Sequence, residues 1–449
     1  MSKVMGRSNS DEICGLIDCE PPFGSYLCGK YKRSFAYTTL KDRLPVILTQ
    51  IIDTLSRTKE SIAEKYGESA LEDVKQITGA ISKLKNELVT NKILNSTQTQ
   101  LDKAWQDKLS ELDSQQSEPH KWYDSIWLIC ECYMYRRVAQ EFMNSNLLKS
   151  YDPFEIQKQE AYFKSKESIA QLSRYTTNLT KINDLDPKDL QRLIKLDLWG
   201  NKCDLSLSSG VVSAQESYLE LLQSLDQDIL ADDSELICKH LCKKCTDQSN
   251  DDIIDIVLDN SGYELFSDFC LAVFLTQKKI AKTIRFYVKQ YPWFISDVTV
   301  NDFHWLIEEM LRSDNEDIKI FGGHCQGNLK NGSWRIEEEA FWTQPYDFSE
   351  MSSVDTVLYS KLSQAKLVIF KGDLNYRKLL GDINWEYTTE YSRALRGFTP
   401  TNLLSLRTIK ADLCVGLPEG KAESLKKEIP NWMETGRFGL IQTYFSQKC

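Results

Sequence analysis

The sequence predicts an α/β protein: a helical N-terminal domain followed by a mostly parallel, Rossmann-like three-layer α/β/α domain. Three observations carry this expectation. From Leu40 to about residue 195, apolar residues recur at three- and four-residue steps and no convincing strand interrupts them. Beyond Trp199-Gly200-Asn201, short β-branched runs alternate with helical stretches, the pattern of a parallel sheet covered on both faces. Finally, 41% apolar and 11% aromatic residues in 449 suffice to bury a large core, which excludes a disordered or collagen-like chain. The expected division is 1–33, a poorly ordered arm; 34–195, the helical domain; and 196–449, the α/β domain.

Taken in order, residues 1–33 hold Gly, Ser, Pro and three cysteines without periodicity. Leu44, Ile47, Leu48, Ile51, Ile52 and Leu55 form one helical stripe, with Pro45 close enough to the start to be tolerated. Val74, Ile77, Ile81, Leu84 and Leu88 form a second, and 122–138, 153–172 and 185–196 read as further helix. In the second half, 253–258 is a strand followed by a helix over 264–279, and 284–288 is a strand followed by a helix over 301–311. Ile318–Phe321, Leu367–Phe370 and Leu403–Leu406 are expected as strands, with a helix around 354–362. The acidic cluster in 224–255 reads as a solvated linker or helix face.

Charge and cysteine content narrow the partners. Lys plus Arg number 55 against 65 Asp plus Glu, a net charge of −10, so the surface as a whole repels nucleic acid and anionic lipid, and an anionic ligand needs a local basic pocket. Thirteen cysteines at irregular spacing, with no apolar leader, suggest reduced thiols in a cytoplasmic or nuclear setting. Apolar runs such as Phe269–Leu275 are far too short to span a membrane.

In open α/β sheets, ligands gather at the carboxyl ends of strands beside the point where strand order reverses. That rule selects Asp259-Asn260, Asp297, Lys371-Gly372-Asp373-Leu374-Asn375 and Arg407-Thr408-Ile409-Lys410. Asp259, Asn260 and Asp297 are hard oxygen donors suited to Mg²⁺ or Mn²⁺ with positions left for water and a phosphate oxygen; equally, Asp-Asn could begin a turn and cap the next helix. Lys371, Arg377, Arg407 and Lys410 are candidate donors to a phosphate, against the simpler reading of solvated surface charges.

Other constellations carry less. Cys238, Cys242 and Cys245, with His240, fall in one octapeptide that leaves no second arm for a zinc tetrahedron, so they read as one face of a helix. Glu131, Arg136 and Arg137 share a helix and suit an ion pair or a cleft wall. No nucleophile elbow, phosphate-binding P-loop or Gly-x-Gly-x-x-Gly fingerprint occurs, and there are only four histidines.

Four blocks, Val257–Leu265, Trp293–Asp297, Phe370–Lys378 and Arg407-Thr408-Ile409-Lys410, resemble the damage-control phosphatases, in the subgroup defined by an Arg-Thr-x-Lys motif. The likeness extends to Ser34–Tyr37, Lys41–Pro45, Glu131–Arg137 and Trp199–Ser206, and so covers the chain from about residue 34. It implies that 196–449 is a metal- and phosphate-binding catalytic domain with Asp259, Asn260 and Asp297 as metal ligands, and Asp373, Asn375, Arg377 and Lys410 on the substrate. Asp259, Asn260 and Asp373 are the expected catalytic residues; Asp373 is nucleophile, acid or base, or substrate orienter. The implied reaction is hydrolysis of reactive sugar phosphates such as fructose 1-phosphate and fructose 6-phosphate, as metabolite damage control, with Mn²⁺, Co²⁺ or Ni²⁺, and Mg²⁺ also compatible. The same subgroup is described as an S-adenosylmethionine-dependent methyltransferase acting on protein glutamates, for which Glu264 is the candidate cofactor contact. A non-catalytic scaffold is the third alternative.

Overall fold

The computed structural model describes residues 15–94, 102–114, 119–200, 225–243 and 252–446. Its N-terminal half is helical: Leu44–Arg57 (α1), Ala70–Val89 (α2), Trp127–Asn144 (α3), Glu155–Lys164 (α4), Lys166–Lys181 (α5) and Pro187–Leu198 (α6). Pro45 sits in the first turn of α1, where its missing N–H costs nothing, and Leu44, Leu48, Ile51 and Leu55 are buried along one face. Val74, Ile77, Ile81, Leu84 and Leu88 do the same for α2.

The second half alternates: Ile229–Asp232 (β1), Ser234–Cys242 (α7), Ile253–Val257 (β2), Tyr263–Gln277 (α8), Thr283–Val288 (β3), Val300–Leu311 (α9), Glu316–Lys330 (α10), Trp334–Glu338 (β4), Leu367–Lys371 (β5), Gly372–Leu380 (α11), Leu403–Thr408 (β6) and Gly439–Tyr444 (β7). One sheet in the order β1-β7-β6-β5-β2-β3-β4 results. The five strands from β6 to β4 are parallel, and β7 joins β6 antiparallel. Alternate residues of each strand enter two cores. Val368 and Phe370 face a layer built with α1–α3, while Leu367 and Ile369 face one built with α5, α6, α8, α9 and α10. This is the expected three-layer, mostly parallel α/β architecture.

Several details differ from the sequence reading. Ile318–Phe321 is not a strand but the first turns of α10. Asn315 caps it by accepting from the amides of Asp317 and Ile318; Ile318, Phe321 and Cys325 are buried at helical spacing, whereas Ile320 is 48% exposed. Residues 15–33 are not a loose arm: Leu27 is fully buried, its amide bonds Asp382 O, and its carbonyl accepts from Trp127 N. Residues 1–14 lie outside the described residues. Nor do helices 34–195 pack as a body apart, because α5 and α6 cover the second face of the sheet against α8 and α10. Part of the acidic 224–255 segment folds as β1 and α7. Cys238 and Cys242 lie on α7 as free thiols, and Cys245 lies outside the described residues. Among the described residues, no helix is long and apolar enough to cross a membrane.

Candidate active site

From β2 the chain moves outward to β3 and β4, whereas β5 pairs on the other side of β2 and leads to β6. Strand order therefore reverses between β2 and β5, where the diverging connections open a crevice. A cavity of ≈ 300 Å³ lies there, lined by Asp259 and Asn260 after β2, Phe294–Asp297 after β3, Asp373, Leu374 and Arg377 after β5, Thr408 at the end of β6 and Lys410 beyond it. Arg43, Trp127, Glu131 and Gln157 from the helical layer close it.

Its acidic floor is built by two loops. Asn260 and Asp297 form an isolated antiparallel bridge, Val298 N donates to Asp259 O at 2.9 Å, and Ser261 N donates to Ser296 O at 2.7 Å. Asn260 Nδ2 donates to Asp259 Oδ2 (2.7 Å) and Glu264 Oε2 (2.9 Å), and its Oδ1 accepts from Ser296 Oγ at 2.5 Å. Lys289 Nζ lies 2.9 Å from Asp297 Oδ2, a fully buried ion pair. Burial, then the nearby Glu264 and Asp297, push the Asp259 carboxyl well above its usual range. Burial also raises Asp297, against the pull of Lys289. Phe294 (φ 43°) and Ile295 (φ 71°) are both left-handed, a strained conformation for a β-branched residue, and Phe294 is held by stacking on Tyr135 at 4.6 Å.

The opposite wall is set by glycine and arginine. Gly372 has φ +81° and passes so close to the floor that a Cβ there would stand 1.8 Å from Asp259 Oδ2. Asp373 Oδ1 accepts from Arg407 Nε (2.8 Å) and from the Lys410 amide (3.0 Å). Arg407 is fully buried, spends its other donors on Leu413 O and Ala411 O, and stacks on Tyr376.

The sequence-selected residues therefore divide. Asp259, Asn260, Asp297, Asp373, Arg377 and Lys410 meet around one cavity. Asn375 does not line it: the residue is 1% exposed, and its amide donates to Lys371 O at 2.8 Å with weaker reach to the Val257 and Leu258 carbonyls, so it ties the exits of β5 and β2 together. Glu264 also sits behind the lining, as the acceptor for Asn260. Lys371 and Arg407 are no phosphate donors. Lys371 is buried between Asp197 (2.6 Å) and Asp268 (3.0 Å), and Arg407 holds Asp373. Arg377 reaches the cavity but is clamped by Glu131 and Asp382 with its guanidinium over Trp127. Arg43, Gln157, Ser296 and Lys289 were not singled out from the sequence. Ser296 and Lys289 carried a signal, their closeness to Asp297 and to the end of β3; Arg43 lay in the Lys41–Pro45 block of the family likeness, whereas Gln157 arrives from a distant helix and carried none.

The donor set fits a hard divalent cation. Two buried carboxylates and an amide line one cavity, and the Gly372 approach keeps Asp259 in place. Among the described residues, no group of three or more His, Cys, Asp or Glu comes together as a ligand cluster, so any cation here uses the amide oxygen and non-protein ligands as well.

Residues 39–425 match the damage-control phosphatase ARMT1-like domain. Curated relatives named damage-control phosphatase ARMT1 are similar over nearly the full length. The mouse protein is 42% identical over 93% of this chain and 98% of its own, the human protein 40% over 93% and 97%, and the zebrafish (Danio rerio) protein 39% over 93% and 96%. A solved DUF89 family protein from Pyrococcus horikoshii covers 72% of this chain and 90% of its own at 17% identity and TM-score 0.39, too loose a likeness to argue from. The chain belongs to the damage-control phosphatase ARMT1-like family, a family of hydrolytic enzymes.

Proposed function

We propose that this protein hydrolyses phosphomonoesters of reactive sugars, fructose 1-phosphate and fructose 6-phosphate being the leading substrates, with a divalent cation held by Asp259, Asn260 and Asp297. The observation that carries the reading is the pairing, in one cavity at the strand-order reversal, of an acidic floor with the cationic side chains of Arg43 and Lys410. When bound, a divalent cation such as Mn²⁺, Co²⁺ or Ni²⁺ supplies charge neutralisation at the phosphoryl group.

The chain's own residues do the rest. Lys410 and Arg43 attract the phosphate dianion and hold its oxygens as charge develops. Asp373, fixed through Oδ1 by Arg407, faces the same space and serves either as the attacking carboxylate or as the group that takes a proton from water. Glu131 and Gln157 offer acceptors and donors for sugar hydroxyls, and Trp127 and Phe294 shield the phosphoryl group from bulk water. Phosphate release from a panel of phosphosugars, measured with Mn²⁺ and after chelation, tests the reading; release indifferent to the cation, or none from any sugar phosphate, overturns it. Hydrolysis in H₂¹⁸O with rapid quenching then separates the two roles of Asp373, since only the attacking carboxylate leaves a trapped phosphoenzyme.

A further inference from the structure

Lys289 follows β3 and is 1% exposed. Its backbone N–H donates to Val298 O at 2.8 Å, closing the base of the loop that carries Asp297. Its ammonium crosses to the other acidic loop and donates to Leu258 O at 3.0 Å, immediately before Asp259. The same ammonium stands 2.9 Å from Asp297 Oδ2, a buried ion pair that reaches the Asp297 loop as well. A buried lysine is costly unless its charge is answered, and here the answering groups are the carboxylates that face the cavity.

We propose that Lys289 is a built-in counter-cation: a positioning residue that offsets part of the charge of the Asp259/Asp297 floor when no metal is present and pins the two loops together, so that the floor is preassembled for the divalent ion. The inference rests on the metal reading given above. It follows that lysine and metal compete electrostatically for the same carboxylates, while the lysine's bond to Leu258 O keeps those carboxylates in register.

The two roles pull apart when the charge is removed. In Lys289→Met, repulsion of the incoming cation disappears, and its loss outweighs the freedom returned to one buried carboxylate; Mn²⁺ is expected to bind about tenfold more tightly. The metal-free protein loses thermal stability, so the rise in Tm on adding Mn²⁺ becomes larger than in the wild type. At saturating Mn²⁺, kcat falls because the loops are no longer tied. Lys289→Gln, which keeps a donor for Leu258 O, provides the same measurement should the methionine variant not fold, with tighter Mn²⁺ binding and a smaller loss of kcat. Mn²⁺ affinity is read by electron paramagnetic resonance and Tm by scanning calorimetry on the full chain. A wild-type protein that neither binds Mn²⁺ nor gains Tm refutes the metal reading itself. Wild-type binding, with variants whose Mn²⁺ affinity is unchanged or weaker, refutes the counter-cation and leaves the metal reading standing.

Discussion

Gly372→Ala is the sharpest probe of how the site is assembled. The new methyl group would stand 1.8 Å from Asp259 Oδ2, whereas non-bonded carbons and oxygens do not approach within about 3 Å, so the carboxylate must retreat by about 1 Å. Displacement of a reacting group on that scale costs about a hundredfold in rate. The substitution also places a side chain at φ +81°, worth about 1–2 kcal/mol of backbone strain, and adds roughly 1–3 kcal/mol of overpacking. Gly420→Ala separates the two contributions. Gly420 has φ +77°, but a Cβ there would meet no heavy atom within 4 Å, so its variant carries strain without the clash. Steady-state phosphatase assays at saturating cation, paired with thermal unfolding, should show both variants destabilised and only Gly372→Ala slowed about a hundredfold. Equal activity in the two variants would mean that Asp259 does not need its observed position, and the assembly described above would be wrong.

Further outcomes follow from the same geometry. Asp259→Ala should reduce cation-dependent turnover to background while Tm holds or rises, since one of three neighbouring buried carboxyl groups is removed; retained turnover with circular dichroism unchanged would exclude Asp259 from the chemistry. Arg407→Lys should cost about 2–4 kcal/mol and lower kcat more than it raises KM, because lysine cannot hold Asp373 and two carbonyls together; a change in KM alone would place Arg407 on the substrate instead. Asp255 is fully buried, and burial pushes its carboxyl up to about 6 despite the Arg285 guanidinium beside it. The folded protein then holds this proton more tightly than the unfolded chain, so stability falls as pH rises from about 4 through 6, by up to ~3 kcal/mol. Tm measured across that window should shift in favour of Asp255→Asn as pH rises, and a difference independent of pH would rule this group out.

How much of this was legible in the sequence depends on the distance over which each residue is specified. The α1 and α2 stripes, and strands β2, β3, β5 and β6, are encoded by local periodicity and β-branched runs. Ile318–Phe321 misled because four residues fit either period; the Asn315 cap and the buried Cys325 farther along are what make it helix. Trp334–Glu338 at one edge of the sheet and Gly439–Tyr444 next to the other edge have mixed polar sequences that carried no strand signal. At the site, strand-exit placement located the acids, since topology alone brings Asp259, Asp297 and Asp373 to one edge. It gave no information on which way a side chain turns. Asn375 and Arg407 share the exits with Asp373 but point into the protein, because backbone carbonyls and the half-buried Asp373 carboxylate lie there to receive them.

That inward turn changes what the basic residues near the strand exits are for. Lys289, Lys371, Arg377 and Arg407 each stand beside a strand exit, and each is committed to carboxylates: Asp297, Asp197 with Asp268, Glu131 with Asp382, and Asp373. Buried pairs of this kind add little net stability compared with apolar packing, but removal of one partner leaves an unanswered charge and is severe. They act as a rigid ionic frame under the cavity, which fixes the orientation of Asp373 and of the Asp259/Asp297 floor to within the tolerance that phosphoryl chemistry demands. Under the proposed function, capture of the dianion then falls to the cations of the opening, Lys410 and Arg43. Loss of charge in the frame should therefore appear in kcat and stability, and loss of charge at the opening in KM and its dependence on salt.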